Sequence, residues 1–329
     1  MAQPTRRSGP SPPDAFREIR VGERKTSSRA LGSGGQTYPS NVIVTSKYTV
    51  LNFFPKNLWE QMHKAANLYF FLISMVMAVG NFTPLFRGTI NFAATFFTLV
   101  IMMAVSAVIA AFDDKARHTA DRHTNNQPAR RIVQWPSDDE DLLETIPWRD
   151  VQVGDMLVVK SEEEFPADLI PLTSSSGEGT CYVSTANLDG ETNLKVKSAT
   201  AKTHALLSEG ASADGDNFPM LTRAVRACRN LDGKLKFEPP QKSIHNFQGT
   251  IKLKVRQESS SGDNKEEPLG PQQILLRGTQ LRNTAWVLGV VVYTGPETRM
   301  AQNSRAAPSK TANIERSINR VMMVVVGTQ

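Results

Sequence analysis

Cysteine is scarce: Cys181 and Cys228 are the two in 329 residues. Two cysteines build no disulfide framework and no CxxC metal spacing, and they suit a reducing compartment. The five histidines fall in no HExxH arrangement, and His118 and His123 read as solvated side chains rather than metal ligands. The net charge is +6, yet no arginine-rich run with interleaved aromatics occurs, which argues against nucleic acid as a partner. Residues 1–40 have no apolar core and are rich in Pro, Ser, Gly and Arg, so no signal peptide is expected there, and a disordered tail is. No internal repeat is present.

The most informative shortage is of charge in two places. Ala65–Phe86 and Gly88–Phe112 contain no Asp, Glu, Lys or Arg. Each is long enough to cross a bilayer, which takes about 20 residues. Only the neighbourhood of Arg87 separates them, so they predict a helical hairpin with both outer ends on one side. Lys47, Lys56 and Lys64 precede the first run, and Lys115, Arg117 and Arg122 follow the second, accompanied by Asp113 and Asp114. The excess of basic residues puts both outer flanks in the cytosol. A buried hairpin of a soluble protein is the competing reading, and charge-free runs of this length speak against it.

Beyond the hairpin the pattern changes. IVQW, DMLVVK, TCYVSTANL, GTIKLKV, QQILLRG and AWVLGVVVYTG are short β-branched runs between Gly, Pro and polar clusters, which is an all-β signature. Ala201–Asn217 reads as a helix or a loose loop. Glu258–Pro271 reads as a polar insertion between strands. VMMVVV, Val321–Val326, reads as the start of a third membrane helix cut off at Gln329.

One motif carries chemistry. STANLDGETNLK, Ser184–Lys195, sets Asp189 and Glu191 around Gly190 between two β runs. Asp-Gly between extended segments is a strong turn signal, because glycine takes positive φ freely. The same turn also presents a carboxylate, Glu191, at the tip of a rigid scaffold, and both readings stand on these residues alone.

NFFPKNLWEQMHKAANLYFFL (Asn52–Leu72), DVQVGDMLVV, FPADLIPL, NLDGETNLK, LLRGTQLRNTAWVLGVVVYTGPETRMAQN (Leu275–Asn303) and SKTANIERSIN occur in one order. Together they resemble the N-terminal portion of type IV P-type ATPases, the phospholipid flippases, over about Asn41–Val326. DGET distinguishes lipid-type members from cation pumps, which usually carry TGES. The lack of acidic residues inside the two runs also disfavours a cation pump.

The resemblance implies a fold: a multi-pass membrane α-helical hairpin plus an all-β, distorted jelly-roll-like cytosolic actuator domain. The expected segments are a disordered tail at 1–40, a cytosolic lead-in at 41–64 and the hairpin at 65–112. A linker helix at 113–129 leads to the actuator at 130–303, with 304–329 as linker and start of the third helix. It also implies a role for the motif. In this family the acidic residue of the loop activates the water that hydrolyses an aspartyl-phosphate on another domain. Glu191 is then the catalytic carboxylate. Gly190 permits close approach, Thr192 holds loop or water, and Asp189 fixes the turn. Asp168 ties a strand end, and Arg299 reads as a solvated linker charge.

The chain holds no DKTGT phosphorylation motif. It is therefore expected to bind no cofactor and not to hydrolyse ATP alone, with ATP and Mg2+ implied for the full-length family. The implied partners are phospholipid, the bilayer, the phosphorylation and nucleotide-binding domains, and a small two-span glycoprotein subunit. Where family members often carry glutamine at the far end of the first membrane helix, this chain has Met77 and Ala78. Asn81, Thr83 and Asn91 are the polar residues left nearby, as lipid contacts or as interhelical hydrogen bonds. A competing reading is a truncated, non-catalytic membrane-anchored binding or regulatory module.

Overall fold

The computed structural model describes residues 16–21, 38–82, 92–133, 142–209, 220–255 and 266–304, with Ser317 and Val321. The chain divides into two compact units: residues 1–43 with 124–306, and residues 44–123 with 307–329.

The second unit is helical. Helix α1 (Phe53–Met62) is followed by α2 (Ala65–Phe82) across an 87° bend, and α3 spans Phe92–Asn125. At 1.5 Å per residue, α2 is roughly 27 Å long and α3 roughly 51 Å. α3 is long and apolar enough to cross a membrane, and the bent pair passes the same test if it forms one span. Their apolar side chains point outward: Leu72, Met75, Val76, Val79, Phe97, Ile101, Val105 and Ile109 are all exposed. An apolar surface of this kind suits hydrocarbon and not water.

The expected linker helix after residue 112 is not a separate element. α3 runs unbroken through it to Asn125, because nothing between Phe112 and Asn125 breaks a helix, neither Pro nor Gly. Asp114 and Asp121, two turns apart on α3, are buried and strap the lead-in segment along it. Asp121 accepts the backbone N–H groups of Thr45 and Ser46, and Asp114 those of Lys47 and Tyr48. His118 Nε2 lies 2.9 Å from the Tyr48 carbonyl. Arg87 and residues 83–91 lie outside the described residues, as do 322–326.

The first unit is built of antiparallel sheets. Strand β1 (Arg17–Val21) pairs with β8 (Leu231–Phe237), which pairs with β9 (Gly249–Val255), and that with β10 (Glu267–Leu269). The central sheet has the order β3 (Leu143–Pro147), β2 (Pro128–Ile132), β4 (Met156–Lys160), β12 (Trp286–Tyr293), β5 (Asp168–Ser174). A third sheet joins β11 (Gln280–Arg282), β6 (Thr180–Ser184) and β7 (Lys195–Ser198).

β12 and its neighbours β4 and β5 are buried on both faces, which is why WVLGVVVY reads as an unbroken apolar run instead of an alternating one. Leu288, Val290 and Val292 of β12 face the core shared with the four-stranded sheet. Val287 and Val291 face the core shared with β6 and β11.

Three expectations need correction. The first forty residues are not uniformly without structure: Arg17–Val21 forms β1, with Ile19 and Val21 buried and the Arg17 guanidinium on both Glu297 oxygens at 2.6 and 2.9 Å. REIRV alternates polar and apolar residues, and its partner strand stands more than 200 residues later. The β domain is also not all-β. Helices α5 (Ala201–Glu209) and α6 (Met220–Arg229) lie within it, and Leu207, Ala224, Val225 and Cys228 fill its larger core. Finally, the Asp-Gly turn signal takes the form of a helix end and not of a tight turn, as described next.

Candidate functional site

β6 and β7 pair antiparallel from Thr180↔Ser198 to Val183↔Lys195. Between them the chain forms one short helix, α4 (Ala186–Asp189), rather than a tight turn. Thr185 precedes α4, and its carbonyl accepts the N–H groups of Leu188 and Asp189 at 2.8 and 3.1 Å. Gly190 ends the helix in the left-handed conformation, φ 74° and ψ 2°. That is the backbone geometry in which a side chain costs most and glycine least. A Cβ built on Gly190 meets nothing within 4 Å, so the loop is open around it.

Asp189 is the hub of this loop. Its carboxylate accepts from the Thr185 hydroxyl at 2.9 and 3.1 Å, from the Glu191 N–H at 3.0 Å and from Lys195 Nζ at 2.5 Å. The Lys195 ammonium, foremost, holds this carboxyl down at about 2, with the Glu191 N–H and Thr185 hydroxyl adding to it. Lys195 Nζ also lies 3.1 Å from Glu191 Oε2. The Glu191 side chain itself is 61% exposed. Asn187 Nδ2 donates to Glu164 Oε1 at 3.2 Å. The four motif residues named from sequence therefore share one loop, with Glu191 at its exposed end. Thr192 is exposed, and its hydroxyl has no partner among the described residues.

Sequence reasoning gave no role to Thr185 or Lys195, although both lie inside the quoted stretch. The signal that could have found Thr185 is its spacing: a threonine four residues before an aspartate brings the two together across one helical turn.

A second polar cluster lies at the start of β5. Asp168 is fully buried and accepts the N–H groups of Arg277 and Arg299 at 2.8 and 2.9 Å. Burial outweighs these bonds and both guanidiniums, and lifts this carboxyl to about 6. Asp168 thus ties the strand end as expected. The buried Asn41 joins the cluster, donating to the Trp148 and Pro166 carbonyls and accepting from Gly295 N–H and Arg277 Nη1.

Arg299 is not the solvated linker charge that the sequence suggested. Its side chain is 1% exposed, pairs with Glu238 at 2.6 Å and lies over the Phe247 ring. The reason is the short Gly295–Glu297 3-10 turn, which folds the chain back over the β unit before α7 (Arg299–Ser304) begins.

Met77 and Ala78 are half-buried on α2, Asn81 is in its last turn, and Thr83 and Asn91 lie outside the described residues. Ser74 is buried, and its hydroxyl has no hydrogen-bond partner among the described residues. An apolar cavity of about 550 Å³ lies against Phe53, Gln61, Phe71, Leu99 and Met103.

Comparison with known proteins agrees with this picture. Residues 19–91 match the family described as "Phospholipid-translocating ATPase N-terminal". The chain is 36% identical over 296 residues to the phospholipid-transporting ATPase DRS2 of Saccharomyces cerevisiae, covering 90% of this chain and 19% of that protein. It is 37% identical over 290 residues to the probable phospholipid-transporting ATPase 12 of Arabidopsis thaliana, covering 88% and 22%. It is 34% identical over 290 residues to the human phospholipid-transporting ATPase ID, covering 88% and 21%. The chain thus spans about a fifth of the length of these relatives. The ordered motifs, the antiparallel β unit, the apolar helices and these matches converge: the chain belongs to the type IV, phospholipid-transporting P-type ATPases and contains their N-terminal region.

Proposed function

We propose that this chain is the N-terminal module of an ATP-driven phospholipid flippase that moves lipid toward the cytosolic leaflet. In this reading its DGET loop is the arm that releases phosphate. The observation that carries it is Glu191. Its carboxylate is exposed at the end of a loop that Asp189 holds rigid through bonds to Thr185, Glu191 N–H and Lys195. A base that must reach another domain needs this combination of exposure and fixed backbone.

In the step proposed, a water oxygen bonds to the phosphorus of an aspartyl-phosphate. The bond from phosphorus to the aspartyl oxygen breaks, and inorganic phosphate leaves. Glu191 accepts the proton that the water sheds. Gly190 keeps the approach clear, since a glycine there adds no side chain to the advancing surface. Thr192, with its hydroxyl free among the described residues, is available to the water. Asp189 acts on the loop and not on the phosphate.

ATP and Mg2+ are expectations of the family. Among the described residues no three His, Cys, Asp or Glu side chains are grouped to hold a metal ion, so no step here is routed through one. α2 and α3 are assigned as two membrane spans with both outer ends in the cytosol, and the β unit as the cytosolic actuator. Phospholipid and a small two-span glycoprotein are the partners this assignment brings with it.

The test is Glu191→Gln in a full-length pump that contains this sequence. The amide keeps the shape and removes the base. The variant is expected to take phosphate from ATP and then hold it, with phosphoenzyme decay after an ATP chase slowed about 10²- to 10⁴-fold, with or without lipid. Decay at the unmutated rate would return DGET to a plain turn. The membrane assignment is tested separately, by an epitope at Arg87 in sealed vesicles with the cytosolic side outward. Protection from external protease is expected, and digestion overturns the hairpin.

A further inference from the structure

We infer that Lys195 is a positioning residue for phosphate release, and that its ammonium lets the Glu191 carboxylate approach an anionic phosphoryl group. This rests on the reading of Glu191 given above. Lys195 opens β7, and its backbone is fixed opposite Val183 in the sheet. Its Nζ bridges two carboxylates, 2.5 Å from Asp189 Oδ2 and 3.1 Å from Glu191 Oε2.

The two halves of this bridge are unequal. Asp189 is also held by the Thr185 hydroxyl and the Glu191 N–H, so it stays in place and keeps Lys195 on the loop. Glu191 is held through its side chain by Lys195 and is mostly exposed, so it is the arm that is free to swing. Lys197, the next basic residue of β7, donates to the Pro271 carbonyl at 2.7 Å and takes no part in this bridge.

The charges explain why a cation is needed. A phosphoryl group on a side chain carries about −1.5 to −2 near neutral pH. The loop without Lys195 would present two carboxylates to it. Like charges brought together repel, and the repulsion grows as water is squeezed from between them. Lys195 offsets one of the two negative charges, and it does so from a rigid strand that needs no rearrangement during the reaction.

The test compares phosphoenzyme decay in a full-length pump containing this sequence. Lys195→Gln is expected to form phosphoenzyme normally and to lose it about tenfold or more slowly at low salt. Raising the ionic strength from about 0.01 M to about 0.1 M shortens the screening length from roughly 30 to 10 Å. That change should speed decay in the variant and leave the unmutated rate unaltered, a response that a merely structural role would not produce. Lys195→Arg should restore decay. Lys195→Met, which keeps the apolar stem on β7, should behave like the glutamine variant and guards against a local folding fault.

Combined with Glu191→Gln, which removes the repelled charge, the loss of Lys195 should slow decay little further. Unchanged decay in Lys195→Gln, a loss insensitive to salt, or a full additional loss in the double variant would each overturn the inference. Failure of the underlying reading would look different: Glu191→Gln alone would then decay at the unmutated rate, whatever stands at position 195.

Discussion

Two aspartates of the β unit meet the same kinds of partner and end at opposite extremes. Asp168, at the start of β5, accepts two backbone N–H groups and has two guanidiniums nearby, yet its carboxyl is lifted to about 6. Asp189, at the end of α4, accepts one backbone N–H, a hydroxyl and an ammonium, and its carboxyl is held at about 2. The difference is water. Asp168 is fully buried, and the cost of desolvating its charge exceeds what its partners return. Asp189 keeps 28% of its side chain in solvent, so its partners act almost unopposed. Partner lists alone would have ranked the two sites together. Burial sets the sign.

The largest break in this comparison should come from Asp168→Ala. It strands the buried N–H groups of Arg277 and Arg299 and removes a negative charge near their guanidiniums, which keep Asn41 and Glu238 as their partners. A loss of about 3–5 kcal/mol is expected in the denaturant unfolding of the purified chain. Asp168→Asn keeps an acceptor for one of the two N–H groups and should lose less. Equal losses would mean that charge, and not the hydrogen bonds, is what Asp168 supplies.

The pH dependence sharpens the comparison, because the two groups pull in opposite directions. Asp168 binds its proton more tightly folded than unfolded, where the ordinary value is 3.8. Its contribution is therefore complete below about pH 4 and is lost as pH rises through about 6. Asp189 binds its proton more weakly when folded, so its contribution is present above about pH 4 and is lost as pH falls toward 2. Together they predict greatest stability near pH 4 from these two sites. Unfolding midpoints across pH 2–7 test this: Asp168→Asn should flatten the decline between pH 4 and 6, and Asp189→Asn the acid limb. The acid limb should be the shallower one, since Asp189 is partly solvated. Parallel curves in all three proteins would refute the assignment.

The smallest effect belongs to Gly190→Ala. The added methyl meets nothing within 4 Å, so the cost is that of the left-handed backbone alone, about 1–2 kcal/mol at most. The same change in a full-length pump should reduce phosphate release more than it reduces stability, if the loop closes on another domain.

Some of this was readable in the sequence and some was not, and the divide follows the range of the cause. The apolar helices α2 and α3 were legible because absence of charge is a local property of the sequence that forms them. β12 was legible because a strand buried on both faces must be apolar throughout. The DGET loop was located by its motif, but its form was not: Asp-Gly signals a turn equally well as the middle of a hairpin and as the left-handed end of α4. Arg299 misled because its burial depends on Glu238 and Phe247, which are distant in sequence. α5 was half-legible, as a helix or a loop over Ala201–Asn217, whereas α6 fell in polar sequence whose few apolar residues acquire meaning only against the core they fill.

The pairing of β1 with β8 sets a timetable for synthesis. Ile19 and Val21 are made early, and their partner strand ends at Phe237. A ribosome adding roughly 5–20 residues per second leaves β1 waiting about 10–40 s for β8. The apolar helices α2 and α3 are translated inside that interval, so β1 meets β8 only after both have been made. A chain that stalls before Phe237 is left with two apolar strand residues and no sheet to join, which makes early termination in this stretch an aggregation hazard rather than a silent loss.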